Sequence, residues 1–195
     1  GPSERRKFMD LELSQLESLY LYYLSKYNKI LMQRNNLLKQ IRFQESLMDT
    51  LEAWDIQLVK YGSEIIRYRK DFIMHLNQII RKIHKRLTGN QEEICIEYEN
   101  SVEYDSFLTE LTKKRSVDLK YATTNVGPHR DDIRFMVNDI DIRKFGSQGQ
   151  QRTAALSLKL AQIQLVRESL KDLPILLLDD VLSELDSSRK IYLLE

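Results

Sequence analysis

The feature that most constrains the fold is a seven-residue repeat of apolar side chains in the middle of the chain. The repeat comprises Leu51, Leu58, Ile65, Phe72 and Ile79, and a second row beside it comprises Ile66, Ile73, Ile80 and Leu87. Seven residues are close to two helical turns, so both rows fall on one helix face. We predict a helix from about Asp49 to Leu87, roughly 55–60 Å long at 1.5 Å per residue, that ends at Thr88-Gly89-Asn90.

Such a helix needs a partner for its apolar face, and the preceding segment supplies one. Residues 3 to about 45 show apolar side chains at three- and four-residue steps, interrupted by Arg34, with a weak point at residues 14–18. Ser3 is the expected N-cap. We predict an antiparallel helical hairpin, packed in part by its tyrosines rather than exposing them for base stacking. Tyr22 and Tyr23 are adjacent, so at least one of them should be partly exposed.

The pattern changes to a mixed α/β character after Glu92. Alternating apolar residues predict a strand at Ile94–Tyr98 with Cys95 as a small buried side chain, and a helix capped by Ser101 follows to about Lys114. Residues 115–126 are left open. A hairpin is predicted from residues 133–137 and 140–145 about the turn Asn138-Asp139.

Charge is divided unevenly along the chain, although the formal net charge is only +1. Residues 1–90 carry 16 lysines and arginines against 10 acidic residues, whereas residues 91–195 carry 14 against 19. A polyanion is therefore expected to meet the first half. With one cysteine, no signal peptide and no apolar run of membrane length, we expect a cytoplasmic protein without membrane contact.

A glycine-rich loop near the C-terminal end precedes a strongly apolar helical segment. It has the sequence Gly146-Ser147-Gln148-Gly149-Gln150-Gln151-Arg152. Glycines permit a tight turn, Ser147 offers a hydroxyl, and the start of a helix attracts anions. The loop therefore resembles the signature loop of an ATP-binding-cassette ATPase, and the start of its helix is a candidate anion site.

A second phosphate-chemistry motif follows about twenty-five residues later. Four apolar residues, Ile175–Leu178, precede Asp179-Asp180, and Ser183-Glu184-Leu185-Asp186 comes next. The order matches a Walker B strand and a D-loop. A carboxylate at a strand end suits Mg²⁺, so Asp179 is the candidate metal ligand, and Asp180 is the candidate base that polarises water. Alone, this motif is also compatible with a buried strand that ends in an acidic turn.

Nearly the whole chain resembles the RecF family of bacterial recombination-mediator ATPases, relatives of the Rad50 and SMC heads. The resemblance rests on Gly127–Asp132, Phe145–Thr153, Leu177–Asp186, Glu4–Asp10 and Gln33–Lys39. It implies an α+β, mostly helical fold, with a long antiparallel helical arm (residues 1–120, including a small strand–helix segment) and a partial α/β ATPase lobe (residues 121–195). The boundary is expected near residues 115–125.

The resemblance also implies function. Two heads would sandwich ATP and Mg²⁺ in an ATP-dependent homodimer, with Ser147, Gly149 and Gln150 facing the γ-phosphate of the other subunit and Asp186 at the dimer interface. Asp180 stands where many relatives have glutamate, which fits slow hydrolysis. The implied partners are DNA at single-strand gaps and RecR, and indirectly RecO and RecA, in the repair of DNA damage.

The Gly-rich loop with its lysine, Walker A, is not found in these residues. As a fragment without that lobe, the chain alone is expected neither to bind ATP tightly nor to hydrolyse it. Two alternatives remain: an interaction module whose helical arm binds a partner such as RecR, and another SMC- or Rad50-like head.

Two further groups of polar residues are open to more than one interpretation. The loop Gly127–Asp132 is either a charged functional loop or a solvated turn, and His75 and His84 are expected to be ordinary surface or seam residues. A basic stripe on the long helix is either a solvated face or a DNA contact; it comprises Arg67, Arg69, Lys70, Arg81, Lys82, Lys85 and Arg86.

Overall fold

The structure, a computed structural model, describes residues 1–170, which are mostly helical. The helices are α1 Pro2–Leu16, α2 Ser18–Ile41, α3 Leu51–Leu87, α4 Phe107–Lys113, α5 Arg115–Tyr121, α6 Ile142–Phe145 and α7 Gln148–Leu170. The strands are β1 Ile94–Glu99, β2 Asp132–Val137 and β3 Ile140–Asp141, and 3₁₀ turns occupy Glu45–Thr50, Tyr104–Ser106 and Pro128–Arg130. Among the described helices none has a stretch long and apolar enough to cross a membrane.

Helix α3 confirms the long helix predicted from the seven-residue repeat. All nine residues of its two apolar rows are buried. The predicted end is also confirmed, because Gly89 and Asn90 both adopt positive φ angles, of 60° and 63°. Glycine and asparagine are the residues that enter this left-handed conformation at least cost, so the sequence specifies where the helix stops.

The predicted partner segment forms two helices, which meet at Glu17 inside the expected weak point. Glu17 has an extended backbone (φ −133°, ψ 102°) between α1 and α2. Ser3 is not the N-cap that we predicted, because α1 begins at Pro2 and its N-cap is Gly1, two residues before Ser3. Proline is favoured in the first turn, where its missing N–H has no helical acceptor, and this explains the earlier start.

Helices α2 and α3 pack antiparallel. As residue numbers rise along α2, the numbers of the contacting residues on α3 fall. Tyr20 meets Arg69 near one end, whereas Arg34 meets Asp55 near the other, with 2.6 Å between Arg34 Nε and Asp55 Oδ1. Tyrosine rings form a ladder between the two helices through the pairs Tyr20–Tyr68, Tyr23–Tyr68, Tyr23–Tyr61 and Tyr22–Tyr61. The tyrosines therefore pack the hairpin, and Tyr22 is the exposed member of the adjacent pair, as predicted.

Arg34, which interrupts the apolar seam, is completely buried. Its guanidinium donates to Asp55 on α3 and to Asp118 on α5, at 2.6 Å and 2.8 Å, and also to the Thr124 hydroxyl at 2.8 Å. A buried charge is tolerated only when oppositely charged groups and hydrogen bonds surround it. The interruption therefore marks the point where three segments are tied together.

The segment after β1 differs from the prediction in three places. Ser101 does not cap a helix; its hydroxyl donates to the Gly127 carbonyl, and the helix begins only at Phe107 after a 3₁₀ turn. Residues 115–126, left open from the sequence, form α5 and then a left-handed turn at Ala122 (φ 51°). Cys95 is half-buried rather than buried, because it lies on the face of β1 opposite the buried Ile94 and Ile96.

The hairpin is present, but its second strand is shorter than predicted. Strands β2 and β3 pair antiparallel with Val137 opposite Ile140, and the turn residues Asn138 and Asp139 have φ angles of 47° and 63°. After two residues the chain turns into α6, whose N-cap Asp141 accepts a hydrogen bond from the Arg143 N–H at 3.0 Å. This cap ends the strand, and it leaves Phe145 exposed. The three strands form one sheet in the order β1-β2-β3.

The chain divides into two compact units, and α3 contributes to both. One unit comprises Gly1–Ile73 and Tyr98–Ile133; the other comprises Met74–Glu97 and the described residues from Arg134 onward. The domain boundary expected near residues 115–125 stays a prediction.

Candidate functional site

The signature-like loop opens a helix, as predicted, and Ser147 stands immediately before it. The Ser147 hydroxyl accepts a hydrogen bond from the Gln150 N–H at 3.2 Å, and the Gln150 side-chain oxygen accepts one from the Ser147 N–H at 3.0 Å. This reciprocal pair is a capping box, which fixes the start of α7. Ser147 is exposed, so its hydroxyl proton remains available to an acceptor outside the chain.

The two glycines of this loop are present for different reasons. A Cβ on Gly146 would lie 2.5 Å from the Ile142 carbonyl oxygen and 2.8 Å from Ile142 Cα, so the path of the backbone requires glycine there. A Cβ on Gly149 would meet nothing closer than the Ser147 hydroxyl, at 3.8 Å. The fold of the described chain therefore does not require glycine at position 149, whereas close approach of a ligand to the backbone would.

The loop combines three features of an anion site. The first N–H groups of a helix have no acceptor within the helix, which applies here to Gln148 and Gly149. The dipole of α7 is positive at this end. Ser147 and Gly149 are both exposed. The residues present thus fit a phosphate group, because exposed N–H and O–H donors meet at the start of the helix. Asp179, Asp180 and Asp186, the other predicted nucleotide residues, lie outside the described residues, as do the segments predicted to be the Walker B strand and the D-loop.

A hydrogen-bonded chain behind the loop was not foreseen from the sequence. The Gln150 Nε2 donates to Glu92 Oε1 at 3.1 Å, and Glu92 Oε2 lies 3.3 Å from His84 Nε2. His84 Nδ1 lies 2.8 Å from the hydroxyl of Ser157, two turns further along α7. His84 is fully buried, whereas His75 is exposed. The available signal was the position of His84 one turn after Ile80 on the apolar face of α3, where a polar side chain needs buried partners.

The other loop that carries the resemblance, Gly127–Asp132, is largely buried rather than a solvated turn. Asp131 is fully buried and accepts hydrogen bonds from Arg69 Nη1 at 3.1 Å, from the Ser101 N–H at 2.8 Å and from the Tyr98 hydroxyl. Next to it, Asp132 pairs with Arg5 through two bonds of 2.7 Å. The loop is therefore a hub that joins α1, α3 and the segment after β1.

His129 belongs to the same hub and is held neutral. Its Nε2 lies 2.9 Å from the Thr124 carbonyl oxygen, which only accepts, so Nε2 carries the proton and Nδ1 accepts from the Tyr27 hydroxyl at 2.7 Å. Burial, together with the nearby Arg130 and Arg6, lowers the pKa of His129 from 6.5 to about 4. Burial and the neighbouring Asp131 raise the pKa of Tyr27, which therefore remains a hydroxyl donor. Neutral His129 is the form that this site accommodates.

The predicted basic stripe loses one member in the structure. Arg69 is only 2% exposed, and it donates to Asp10 at 2.8 Å, to Asp131 at 3.1 Å and to the Pro128 carbonyl at 2.7 Å. Its charge is directed into the hub, so it is not part of a surface that a polyanion could reach. The prediction of a DNA contact at Arg69 is wrong for this physical reason.

The other six stripe residues are at least partly exposed. Near the middle of α3, Arg67 and Lys70 flank the Tyr104 ring, and they pair with Glu64 and Glu103, respectively. Arg81, Lys82, Lys85 and Arg86 are all exposed on the last two turns of α3. Lys85 has Glu93 at 3.9 Å, and Arg81 lies 3.3 Å from the sulfur of Cys95.

Comparison of the amino-acid sequence with those of known proteins gives one consistent result. No protein-family model matches the chain. Proteins named DNA replication and repair protein RecF match it over its entire length: the one from Agathobacter rectalis is 56% identical over 194 residues, and the one from Lachnospira eligens is 59% identical over 196 residues. The chain covers 54% of each of these relatives, so it spans about half the length of the curated proteins it matches.

Solved structures agree with the sequence matches. A structure of the recombination mediator protein RecF with ATP, in the RecFOR pathway, superposes with a TM-score of 0.92 at 40% identity, covering 100% of this chain and 54% of that one. A second RecF structure from the same pathway, RecF-ATPrS, gives a TM-score of 0.90 at 41% identity. With sequence identity above one half along its whole length and the same fold, the chain is similar throughout to RecF proteins, of which it spans about half.

Proposed function

We propose that this chain forms part of an ATP-dependent DNA-repair protein in which its signature loop binds the γ-phosphate of ATP held by a second copy. The observation that carries the proposal is the helix start at Ser147, which is exposed and fixed by its own capping box. Glycine at position 149 leaves the backbone open to a phosphate. Packing within the described chain gives no other reason for glycine there. The solved RecF relative with ATP supports a nucleotide as the ligand.

The roles of the individual residues follow from their chemistry. The Ser147 hydroxyl and the first N–H groups of α7 donate to phosphate oxygens, while Gln150 holds the cap. In the same proposal Asp179 binds Mg²⁺, Asp180 orients the attacking water, and Asp186 lies at the interface between the two copies. Association of two copies thus completes the site, and ATP favours the dimer.

The test uses a full-length RecF protein that contains this chain, with substitutions of Ser147. In Ser147→Asp the carboxylate keeps the N-cap acceptor for Gln150, because aspartate caps helices as well as serine does. Its negative charge, however, repels a phosphate. We expect ATP-dependent dimerisation, measured by sedimentation with Mg²⁺ and ATP, to weaken by at least about tenfold, or roughly 1.4 kcal/mol.

The matched control is Ser147→Thr, which retains both the cap and a hydroxyl and should dimerise normally. Unchanged circular dichroism would show that α7 is intact in both variants. Dimerisation of Ser147→Asp at the wild-type ATP concentration would show that the loop does not meet the γ-phosphate.

We further propose that DNA binds to the exposed cations at the end of α3, Arg81, Lys82, Lys85 and Arg86. These four positive side chains lie exposed on adjacent turns, and the binding of such cations to phosphates releases counterions. Replacement of Arg81, Lys82 and Arg86 by glutamate should weaken gapped-DNA binding. It should also reduce the salt dependence of binding, by a slope of about 0.9 for each phosphate that the protein no longer neutralises. Binding to RecR should be unaffected. An equal weakening of RecR binding would favour a protein-interaction surface instead.

A further inference from the structure

The Gln150 side chain uses both ends of its amide. Its oxygen accepts from the Ser147 N–H at 3.0 Å, and its Nε2 donates to Glu92 at 3.1 Å. An amide can rotate by 180° and exchange its oxygen for its nitrogen, and the rotated form would place a donor against the Ser147 N–H and break that half of the capping box. What fixes the amide orientation is the group on its other side.

Glu92 is that group, because a carboxylate accepts hydrogen bonds and does not donate them. Its Oε1 therefore selects the Nε2 end of Gln150. Glu92 lies between β1 and the end of α3, outside the loop itself, and its side chain is only 21% exposed.

Glu92 is in turn held by His84. The second carboxylate oxygen lies 3.3 Å from His84 Nε2, and His84 is fully buried with Nδ1 2.8 Å from the Ser157 hydroxyl. Ser157 donates to the Thr153 carbonyl at 2.8 Å, and the Thr153 hydroxyl donates to the Gly149 carbonyl at 2.9 Å. The hydrogen bonds therefore return to the same turn of α7 from which they began. A closed set of hydrogen bonds resists rearrangement of any one member.

We infer that Glu92, oriented by His84, is a positioning residue for the signature loop. It fixes the Gln150 amide, through it the capping box, and through the box the direction of the Ser147 hydroxyl. The inference rests on the proposed function for its effect on nucleotide binding, whereas the effect on Gln150 is independent of any ligand.

The first measurement is the side-chain ¹⁵N amide signal of Gln150 in this chain. In Glu92→Ala we expect the signal to move to the position of a solvated glutamine, because its acceptor is gone. The matched control is Glu93→Ala, which removes the same charge one residue away; the Glu93 side chain is exposed, and it lies 3.9 Å from Lys85 Nζ. That variant should leave the Gln150 signal unchanged.

The second measurement is ATP-dependent dimerisation of the full-length protein. Loss of one fixed hydrogen bond should weaken it on the order of tenfold in Glu92→Ala. Glu92→Gln keeps an oxygen that can accept from Gln150, so it should restore at least part of the loss, which a merely structural role for the negative charge would not do.

The outcomes separate the inference from the function on which it rests. An unchanged Gln150 signal in Glu92→Ala overturns the inference, whatever the nucleotide does. If the signal moves but dimerisation is unaffected in both Glu92→Ala and Ser147→Asp, the proposed function is wrong and the role of Glu92 in it falls as well. If Ser147→Asp fails to dimerise while Glu92→Ala behaves as wild type, the loop binds nucleotide without help from Glu92, and the inference alone is rejected.

Discussion

Two glycine-containing loops of this chain, Gly127–Asp132 and Gly146–Gln151, make opposite use of their polar groups. In the first loop the Asp131 carboxylate is fully buried and bonded to Arg69, Ser101 and Tyr98. In the second loop the polar groups form a cap that leaves the Ser147 hydroxyl at the surface. Both loops belong to motifs that resemble RecF, but the Asp131 carboxylate of the first is bonded within the protein, whereas Ser147 of the second is exposed.

The difference between them shows that motif content alone does not reveal which polar groups are bonded within the protein and which remain exposed. Histidine, arginine and two aspartates in succession suggest a reactive site, but His129 and Asp131 direct their hydrogen bonds into the protein. A ligand-binding loop must instead keep hydrogen-bonding capacity unused until the ligand arrives. Three predictions test this difference, and the largest expected effect comes first.

The largest effect is expected from removal of the guanidinium at the hub. Arg69→Met leaves the buried Asp131 without its cation and also removes the partner of Asp10, at a cost of about 3–5 kcal/mol in the free energy of unfolding. Urea denaturation followed by circular dichroism measures this change.

The control is Arg67→Met, two residues away on the same helix. Arg67 pairs with Glu64 at 3.0 Å with its side chain 52% exposed, and exposed pairs contribute about 0–1 kcal/mol. Equal destabilisation by the two substitutions would mean that the hub is no more important than an ordinary surface pair.

The two loops should respond differently to the same glycine substitution. Gly127 has φ 128°, and a Cβ there would lie 2.5 Å from the Tyr27 hydroxyl oxygen and 2.9 Å from the Phe107 ring. Gly127→Ala should therefore cost about 1–3 kcal/mol for the strained backbone and a similar amount for the overlap. Gly149→Ala creates no such overlap, so its melting temperature should match the wild type or exceed it slightly.

If the proposal for the signature loop is correct, the substitution that is harmless to stability, Gly149→Ala, is the one that impairs ATP-dependent dimerisation. Gly149→Ala should reduce ATP-dependent dimerisation of the full-length protein without loss of stability. A stable Gly149→Ala protein that dimerises normally would remove the distinction drawn between the two loops.

The third prediction concerns the pH dependence of the free energy of unfolding, and its expected effect near neutral pH is the smallest of the three. In the unfolded chain a histidine binds a proton near pH 6.5, whereas in the folded protein the pKa of His129 is about 4. Between these values the unfolded state holds more protons, so stability rises with pH through this window and is lost as pH falls from 6.5 toward 4. At pH 5 the loss is about 1–2 kcal/mol.

His129→Gln removes this titration while it keeps a side chain that can donate and accept. Its free energy of unfolding should vary less between pH 7 and pH 5 than that of the wild type. His75→Gln, which changes an exposed histidine, provides the comparison for a change in histidine number alone. If the free energy of unfolding changed equally with pH in wild type and His129→Gln, the folded protein would not disfavour protonation of His129.

Much of the fold could be predicted from the sequence because it depends on local pattern. The seven-residue repeat predicted α3 and its buried face, Gly89 and Asn90 predicted its end, and Asn138-Asp139 predicted the turn of the hairpin. The start of α7 was equally accessible, since Ser147 and Gln150 have the spacing of a capping box. The predictions that failed also have local causes: Pro2 displaced the cap from Ser3, and the cap at Asp141 ended β3 after two residues.

The candidate site was predicted only in its exposed part. Ser147, Gly149 and Gln150 could be named from the loop motif, whereas Glu92 and His84 could not, because they lie 58 and 73 residues from their partners in α7. The same limit explains the error at Arg69. As one of several cations on a helix it was assigned to a surface, but its carboxylate partners Asp10 and Asp131 are 59 and 62 residues away.

The sequence by itself determined where helices begin and end, which of their faces are apolar, and which loop has the composition to meet a phosphate. These properties depend on backbone preferences and on periodicity within a few turns. Only the tertiary structure decided which charged and polar side chains are buried with partners and which remain at the surface. That decision depends on contacts between distant segments, where desolvation must be offset by hydrogen bonds that no local pattern specifies.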